Sequence, residues 1–320
     1  MTVSAQLASR LGALGNLPSP SAVAARLIEQ AADPDIDLAR LAELVSRDPV
    51  LTARLFRTAN SALYRRSEPV TGLRQALVLL GTDAAVSLAL SFTLVDQLRR
   101  LATDAFDYER FWRRAFLAAT AARTLGEAAG QPQGESLFLV GLIQDIGMLA
   151  LARSTPGFYG DLPSLADHDL VCVYELDDLG CDHAAVGAWL LGRWRMPGPW
   201  TQAVAHSHHV AVGRSDDPAA VFNRCVALSG GIADVWLGGM EAATLQQVIA
   251  DCRRSLGLSL GAVAGVMQEV HARMGEVASL YDAATLPSDQ ADALLARADV
   301  LLADRGETGA DEPISQAARG

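Results

Sequence analysis

Much that would place this chain at a glance is missing from it. Its four cysteines, Cys172, Cys181, Cys225 and Cys252, are scattered and never form a CxxC pair. That excludes a disulfide framework and leaves reduced, buried thiols in a cytoplasmic setting as the expectation. The start, MTVSAQLASRLGALGNLPSP, has no basic segment ahead of a long apolar core, so no secretory signal is expected. No clean apolar run reaches the ~20 residues that a spanning helix needs. Ala84 to Val95 is too short, and Leu137 to Ala152 carries Gln144 and Asp145 in its middle. Both read as buried core helices, and no membrane insertion is expected.

Positive charge is also scarce. The net charge is −11 and the pI is near 5.0, which excludes a sequence-independent grip on nucleic acid. Arg65-Arg66, Arg99-Arg100, Arg113-Arg114 and Arg253-Arg254 are only pairs and read as solvated helix faces. The Walker A loop, the GxGxxG turn, the GxSxG elbow and the HExxH helix are all absent, which removes the common nucleotide-binding and hydrolase signatures. Strand-type alternation is nearly absent, and no repeat recurs at a fixed period.

What is present is helical. Half the residues are hydrophobic and 20% are charged, the balance of a globular chain, and 320 residues can bury a large core in one or two domains. Asp48 is a good N-cap with Pro49 at the first helical position, and Leu51, Leu55, Ala59 and Leu63 recur at i, i+4 spacing behind them. Ser19-Pro20 opens an earlier helix, and Gly81-Thr82-Asp83 ends one helix and caps the next. Asp182 opens the CDHAAVGAWLLGRW helix, and Asp216-Asp217-Pro218 opens a long apolar one. ESLFLVGLIQDIGMLALA reads as a single helix, Thr155 to Asp167 as a loop, and RGETGADEPISQAARG as a disordered tail. The fold class is all-α, with roughly a dozen helices.

The residues that could carry chemistry are Asp145, His183, His206, His208 and His209. Helical spacing puts His206 and His209 on one face and turns His208 away. His168 and His271 stand alone and carry no case.

Taken in order, the motifs resemble a known family. LPSPSAVAARLIEQAADPDIDLARLAELVSRDPVLTARLFRTANSALY followed by RQALVLLG is similar to the N-terminal half of the HDOD domain, a bacterial signalling module related to HD phosphohydrolases. FWRRAFLAATAARTL, FLVGLIQDIGMLAL, HAAVGAWLLGRWRMP and the His206–His209 cluster resemble its second half, so the likeness runs from about Leu17 to Val210. It implies an N-terminal helical subdomain at 1–102, an HD-like helical subdomain with C-terminal helices at 103–304 and a disordered tail at 305–320. Thr103 to Asp107 would be the junction between them.

The resemblance also exposes departures. In catalytic HD enzymes the dipeptide at Gln144-Asp145 is His-Asp, and an earlier helix supplies another His. Here FWRRAF offers Arg113 and Arg114 in its place. An amide oxygen is a poor substitute for imidazole on a transition metal, and Arg114 turned inward would put a fixed cation where a metal would sit. The resemblance therefore implies a vestigial pocket of Arg114, Gln144, Asp145, His183, His206 and His209. No bound metal, no cofactor and no catalytic residue are expected, and Asp145 is expected to be a buried carboxylate paired with Arg114 or Arg113.

The function implied is that of a non-enzymatic signal-transduction regulator. It would bind signalling protein partners or a small ligand, in the setting of cyclic-dinucleotide, motility or biofilm control. The alternative is a metal-dependent HD-type phosphohydrolase acting on a nucleotide or phosphodiester.

Overall fold

A computed structural model describes residues 3, 8–9, 11–12, 19–33, 37–64, 69–100, 106–160, 162, 168–238 and 241–283. All regular structure among the described residues is helical. In chain order the helices are α1 (Ala22–Ala31), α2 (Leu38–Ser46), α3 (Pro49–Ala59), α4 (Leu73–Leu80), α5 (Thr82–Arg99), α6 (Tyr108–Ala128) and α7 (Gly134–Ile143). There follow α8 (Ile146–Ser154), α9 (His168–Leu179), α10 (His183–Arg193), α11 (Gly198–Ala205), α12 (Pro218–Leu237), α13 (Ala242–Leu256) and α14 (Leu260–Tyr281). The tail at 305–320 and most of the 103–107 junction lie outside the described residues.

Local chemistry sets most of the helix starts. The Asp48 side chain accepts from the backbone N–H groups of Val50 and Leu51, with Pro49 at the first position, so two orphan donors of the first turn are satisfied. Asp182 and Asp217 cap α10 and α12 in the same way. The cap of α1 is Ser21 rather than the Ser19-Pro20 pair. On α3 the stripe of Leu51, Leu55 and Ala59 is buried, whereas Leu63 lies beyond the helix end, in a turn.

That end is fixed by Asn60. Its Nδ2 donates to the carbonyls of Phe56 and Val70, and its Oδ1 accepts from Val70 N–H at 2.8 Å. One amide thus ties the end of α3 to the chain that enters α4. Asn60→Ala is expected to cost about 1–3 kcal/mol, because Val70 keeps a part-buried donor with no acceptor; chemical denaturation measures it.

Gly81, at φ +82°, occupies the left-handed region that a side chain disfavours. It turns α5 through 109° from α4. Behind this elbow α5 is buried along most of its length and packs on both α1 and α7. α6 lies at the centre, against α7, α12 and α14. One continuous core runs from Leu11 to Tyr281, with a small satellite of Ala59, Val70 and Ala76 under the α3–α4 connection. The apolar stretch Gly134–Ser154 is buried within the protein along almost all of its length, as core elements should be, and all four cysteines are buried and unbridged.

The stretch read as one helix is in fact two. α7 stops at Ile143, Gln144 and Asp145 form a turn, and α8 begins at Ile146. Asp145 sits at φ −99°, ψ 13°, and its carbonyl accepts from Met148 N–H three residues on. The interruption aims both polar side chains inward.

Candidate functional site

Two helices and the turn between two others bring the first set of groups together. Arg114 lies on α6, Gln144 and Asp145 at the α7–α8 break, and Asp234 on α12. The Arg114 guanidinium donates through Nη1 to Asp145 Oδ2. Its Nε and Nη2 donate to the two oxygens of Asp234 at 2.8 and 2.9 Å, the bidentate fork that suits a carboxylate. Arg114 and Asp145 have side-chain exposures of 8% and 3%. Burial works against the Arg114 charge, but the two carboxylates outweigh it and raise its pKa. Burial likewise raises the Asp145 pKa, yet Arg114 and the neighbouring imidazoles hold it well below the usual carboxylate range.

Arg113 points elsewhere, to Glu109 on the surface, so the partner of Asp145 is Arg114. Gln144 is fully buried; its Nε2 reaches Ser229 Oγ at 3.4 Å, while its Oε1 has no partner.

The other oxygen of Asp145 faces a second set of groups. Oδ1 lies 3.4 Å from His183 Nε2, 3.6 Å from His168 Nε2 and 3.7 Å from His208 Nε2, without a hydrogen bond of its own. The imidazoles crowd each other: Nε2 of His183 is 3.0 Å from that of His168 and 2.7 Å from that of His208. Lone pairs brought this close repel unless a proton or a metal cation stands between them. Cys172 Sγ and the three imidazole nitrogens all lie within 4.8 Å of one another.

His183 is oriented from behind. Its Nδ1 lies 2.7 Å from Glu175 Oε2, which also accepts from His183 N–H, and Glu175 Oε1 accepts from Tyr159 OH at 2.6 Å. Burial lowers the His183 pKa, but Glu175 and Asp145 together push it up to about 10. His168 is lowered by burial and by Arg114, and His208 is lowered further by burial and by the two other imidazoles. Burial beside Glu175 pushes the Cys172 thiol up, so it stays protonated as a free thiol.

The structure corrects the sequence reading of the histidines. α11 ends at Ala205, and residues 206–208 form a turn rather than another helical turn, so helical spacing does not govern them. His206 is exposed, with Nδ1 against Gln202 O, and His209 is exposed as well. Neither joins the pocket; His208 is the member that enters. His168, set aside as isolated, heads an unpredicted helix. His168, Val171, Cys172 and Glu175 are the buried face of α9, spaced i, i+3, i+4 and i+7. That spacing was visible, but its polar residues hid it.

A divalent-metal centre of the HD type does not fit the first set of groups. Arg114 already pairs with both Asp145 and Asp234, the two carboxylates a cation would otherwise neutralise there, and an amide stands at Gln144 where the resemblance implies imidazole. The thin donor set expected from sequence, however, left out His168 and His208. With them, three imidazoles and one carboxylate oxygen meet at a single point.

Comparisons with known proteins agree with this architecture. The family model for the HDOD domain matches residues 17–210. The structure resembles that of an HDOD domain protein of unknown function from Geobacter sulfurreducens, at 23% identity, 86% of this chain, 98% of that chain and a TM-score of 0.64. It also resembles a Shewanella amazonensis protein named as a candidate phosphohydrolase, at 22% identity, 87% and 98% coverage and a TM-score of 0.65. At these identities the likeness shows the fold alone. An uncharacterized protein of Treponema pallidum is 25% identical over 211 residues, which are 65% of this chain and 40% of that protein. The chain thus spans less than half the length of that curated relative.

Proposed function

This chain belongs to the HDOD family, which is related to the HD phosphohydrolases, and from that premise we propose that it is a non-enzymatic signalling regulator. It acts by binding a protein partner or a small ligand, in the bacterial regulatory setting of cyclic dinucleotides, motility or biofilm. The observation that carries this reading is the Arg114 guanidinium held by Asp145 and Asp234. Hydrolysis of a phosphodiester by an HD-type centre needs exchangeable divalent cations that bind water and phosphate oxygens. A covalently tethered cation can neutralise the carboxylates, but it can neither bind water as a ligand nor lower its pKa.

The second reading, a metal-dependent phosphohydrolase, draws on the convergence of His168, His183, His208 and Asp145. Against it, the imidazoles already hydrogen-bond one another there, Nε2 of His183 lying 3.0 Å from that of His168 and 2.7 Å from that of His208.

The test is direct. Purified protein supplied with Mn²⁺, Fe²⁺ or Mg²⁺ is expected to hydrolyse neither nucleotides nor cyclic dinucleotides, and Gln144→His is expected to stay inactive because Arg114 still fills the neighbouring place. Metal-dependent turnover that vanishes in Asp145→Ala would overturn the reading.

A further inference from the structure

We propose that the cleft where the α4–α5 elbow and the end of α1 face the starts of α7, α11 and α12 is the docking site for an arginine-bearing segment of a protein partner. This deepens the regulatory reading above and rests on it, choosing the protein partner over the small ligand. The cleft has a volume of about 1260 Å³, above the ~300–1,000 Å³ usual for small-molecule pockets, which leaves room for a stretch of peptide. None of the groups gathered around Asp145 lines it.

Charge indicates the kind of segment. Among the described residues, five carboxylates line the cleft, those of Asp33, Asp83, Glu127, Glu135 and Asp217, against the single guanidinium of Arg123. Arg273, from α14, shares Glu127. The starts of α5, α7, α11 and α12 open on the same cleft, and their dipoles, worth roughly half a positive charge each, offset only part of the excess. Arg123 has little left to offer an anion. Its Nη1 is held by Glu135 Oε1 at 2.9 Å and donates to Tyr64 OH at 2.8 Å, and its Nε is held by Glu127 at 3.0 Å.

The floor of the cleft asks for donors. Glu135 is 7% exposed at its side chain, and its Oε2 has no hydrogen bond. Burial raises the Glu135 pKa, as befits a carboxylate with one oxygen still unmatched. Gln30 Oε1, from α1, is a second buried acceptor without a partner, and it lines the same cleft. Buried acceptors of this kind are normally satisfied. A guanidinium carries five N–H donors in a planar fork and spreads them over several acceptors, whereas an ammonium concentrates its charge at one point. Arginine therefore suits this floor better than lysine.

The probes are fluorescein-labelled peptides of about ten residues, built of glycine and serine with three arginines, three lysines or three glutamates. Each is titrated into the full chain at physiological ionic strength and read by fluorescence anisotropy. The arginine peptide is expected to bind, the lysine peptide more weakly and the glutamate peptide not at all. In NMR the indole N–H of Trp200, which lines the cleft, should shift on binding, and that of Trp236, which does not, should stay. Asp83 and Asp217 are exposed, and serine at 217 keeps the helix cap. The double variant Asp83→Asn/Asp217→Ser should thus melt like the parent and bind roughly 2–30-fold more weakly. Glu135→Gln should lose more, and Glu43→Gln/Glu241→Gln, two exposed acids outside the cleft, should lose nothing. No binding of the arginine peptide, equal binding of the glutamate peptide, a rim variant as tight as the parent, or displacement by an equal concentration of spermidine would each overturn the proposal. If Glu135→Gln does not fold by circular dichroism, the rim variant decides. Metal-dependent hydrolysis would remove the regulatory reading whatever the peptides do, whereas failure of the peptides alone removes only the cleft.

Discussion

Arg114→Ala is expected to destabilise the metal-free protein by about 3–5 kcal/mol, the range found when one partner of a buried ion pair is removed. The loss is large because a single guanidinium serves two carboxylates. Without it, Asp145 keeps a charge at 3% side-chain exposure with only the imidazoles beside it, and Asp234 loses both of its hydrogen bonds.

Asp145→Ala is expected to be milder, about 1–3 kcal/mol, because Arg114 retains its fork on Asp234. The ordering reverses what the Asp145 position alone suggests, and urea unfolding of the two variants beside the parent measures it. The sign of the pH dependence follows from the depressed pKa of Asp145. Its stabilisation is fully present above the unfolded value of ~3.9 and is lost as pH falls through the lower folded value. The gap between parent and Arg114→Ala should therefore be wide at neutral pH and narrow only in strong acid. A gap that stays constant into acid, or an Asp145→Ala more damaging than Arg114→Ala, would show that the Arg114 pairing does not govern the pocket.

Gly147→Ala is the second substitution with a large expected effect. A Cβ on Gly147 would lie 1.9 Å from the His183 carbonyl oxygen and 2.7 Å from the Gly187 nitrogen. Both are backbone atoms, so no rotamer change relieves the clash and α10 must move away from α8. Overpacking of this kind costs typically 1–3 kcal/mol, and this contact belongs at or above roughly 3. The displaced helix carries His183, so the variant should also lose the 3.4 Å approach of His183 to Asp145. Thermal unfolding reads the first effect, and the histidine ring resonances in NMR read the second. A variant that melts with the parent and keeps its histidine shifts would show that α8 and α10 are not in tight contact.

Much of the helical scaffold was legible because its signals are local. Asp48-Pro49, Asp182 and Asp217-Pro218 start helices wherever they occur, since a carboxylate beside free N–H groups needs little tertiary help. Arg114 was legible too, as a misfit at a position where the resemblance implied imidazole.

The rest depends on partners distant in sequence. GLIQDIGMLAL reads as continuous helix by composition, yet the chain breaks at Gln144-Asp145, where both side chains find surroundings supplied by α6, α12 and the histidines. The phase of HSHH could not be read from spacing, because the helix it was assigned to stops one residue earlier. His168 was passed over because its face of α9 mixes Val171 with Cys172 and Glu175. That face becomes a buried surface only when His183 and Asp145 are there to meet it.

The Arg114 fork also bears on how the chain assembles. Its two carboxylate partners lie 31 and 120 residues further along the chain. A partly formed core with α6 seated against α7 but without α12 would bury the charge of Arg114 at half its coordination. In the native protein α12 supplies the other half, so it helps lock α6 against the α7–α8 break. Contacts this far apart slow the approach to the native state, and they also make it close to all-or-none.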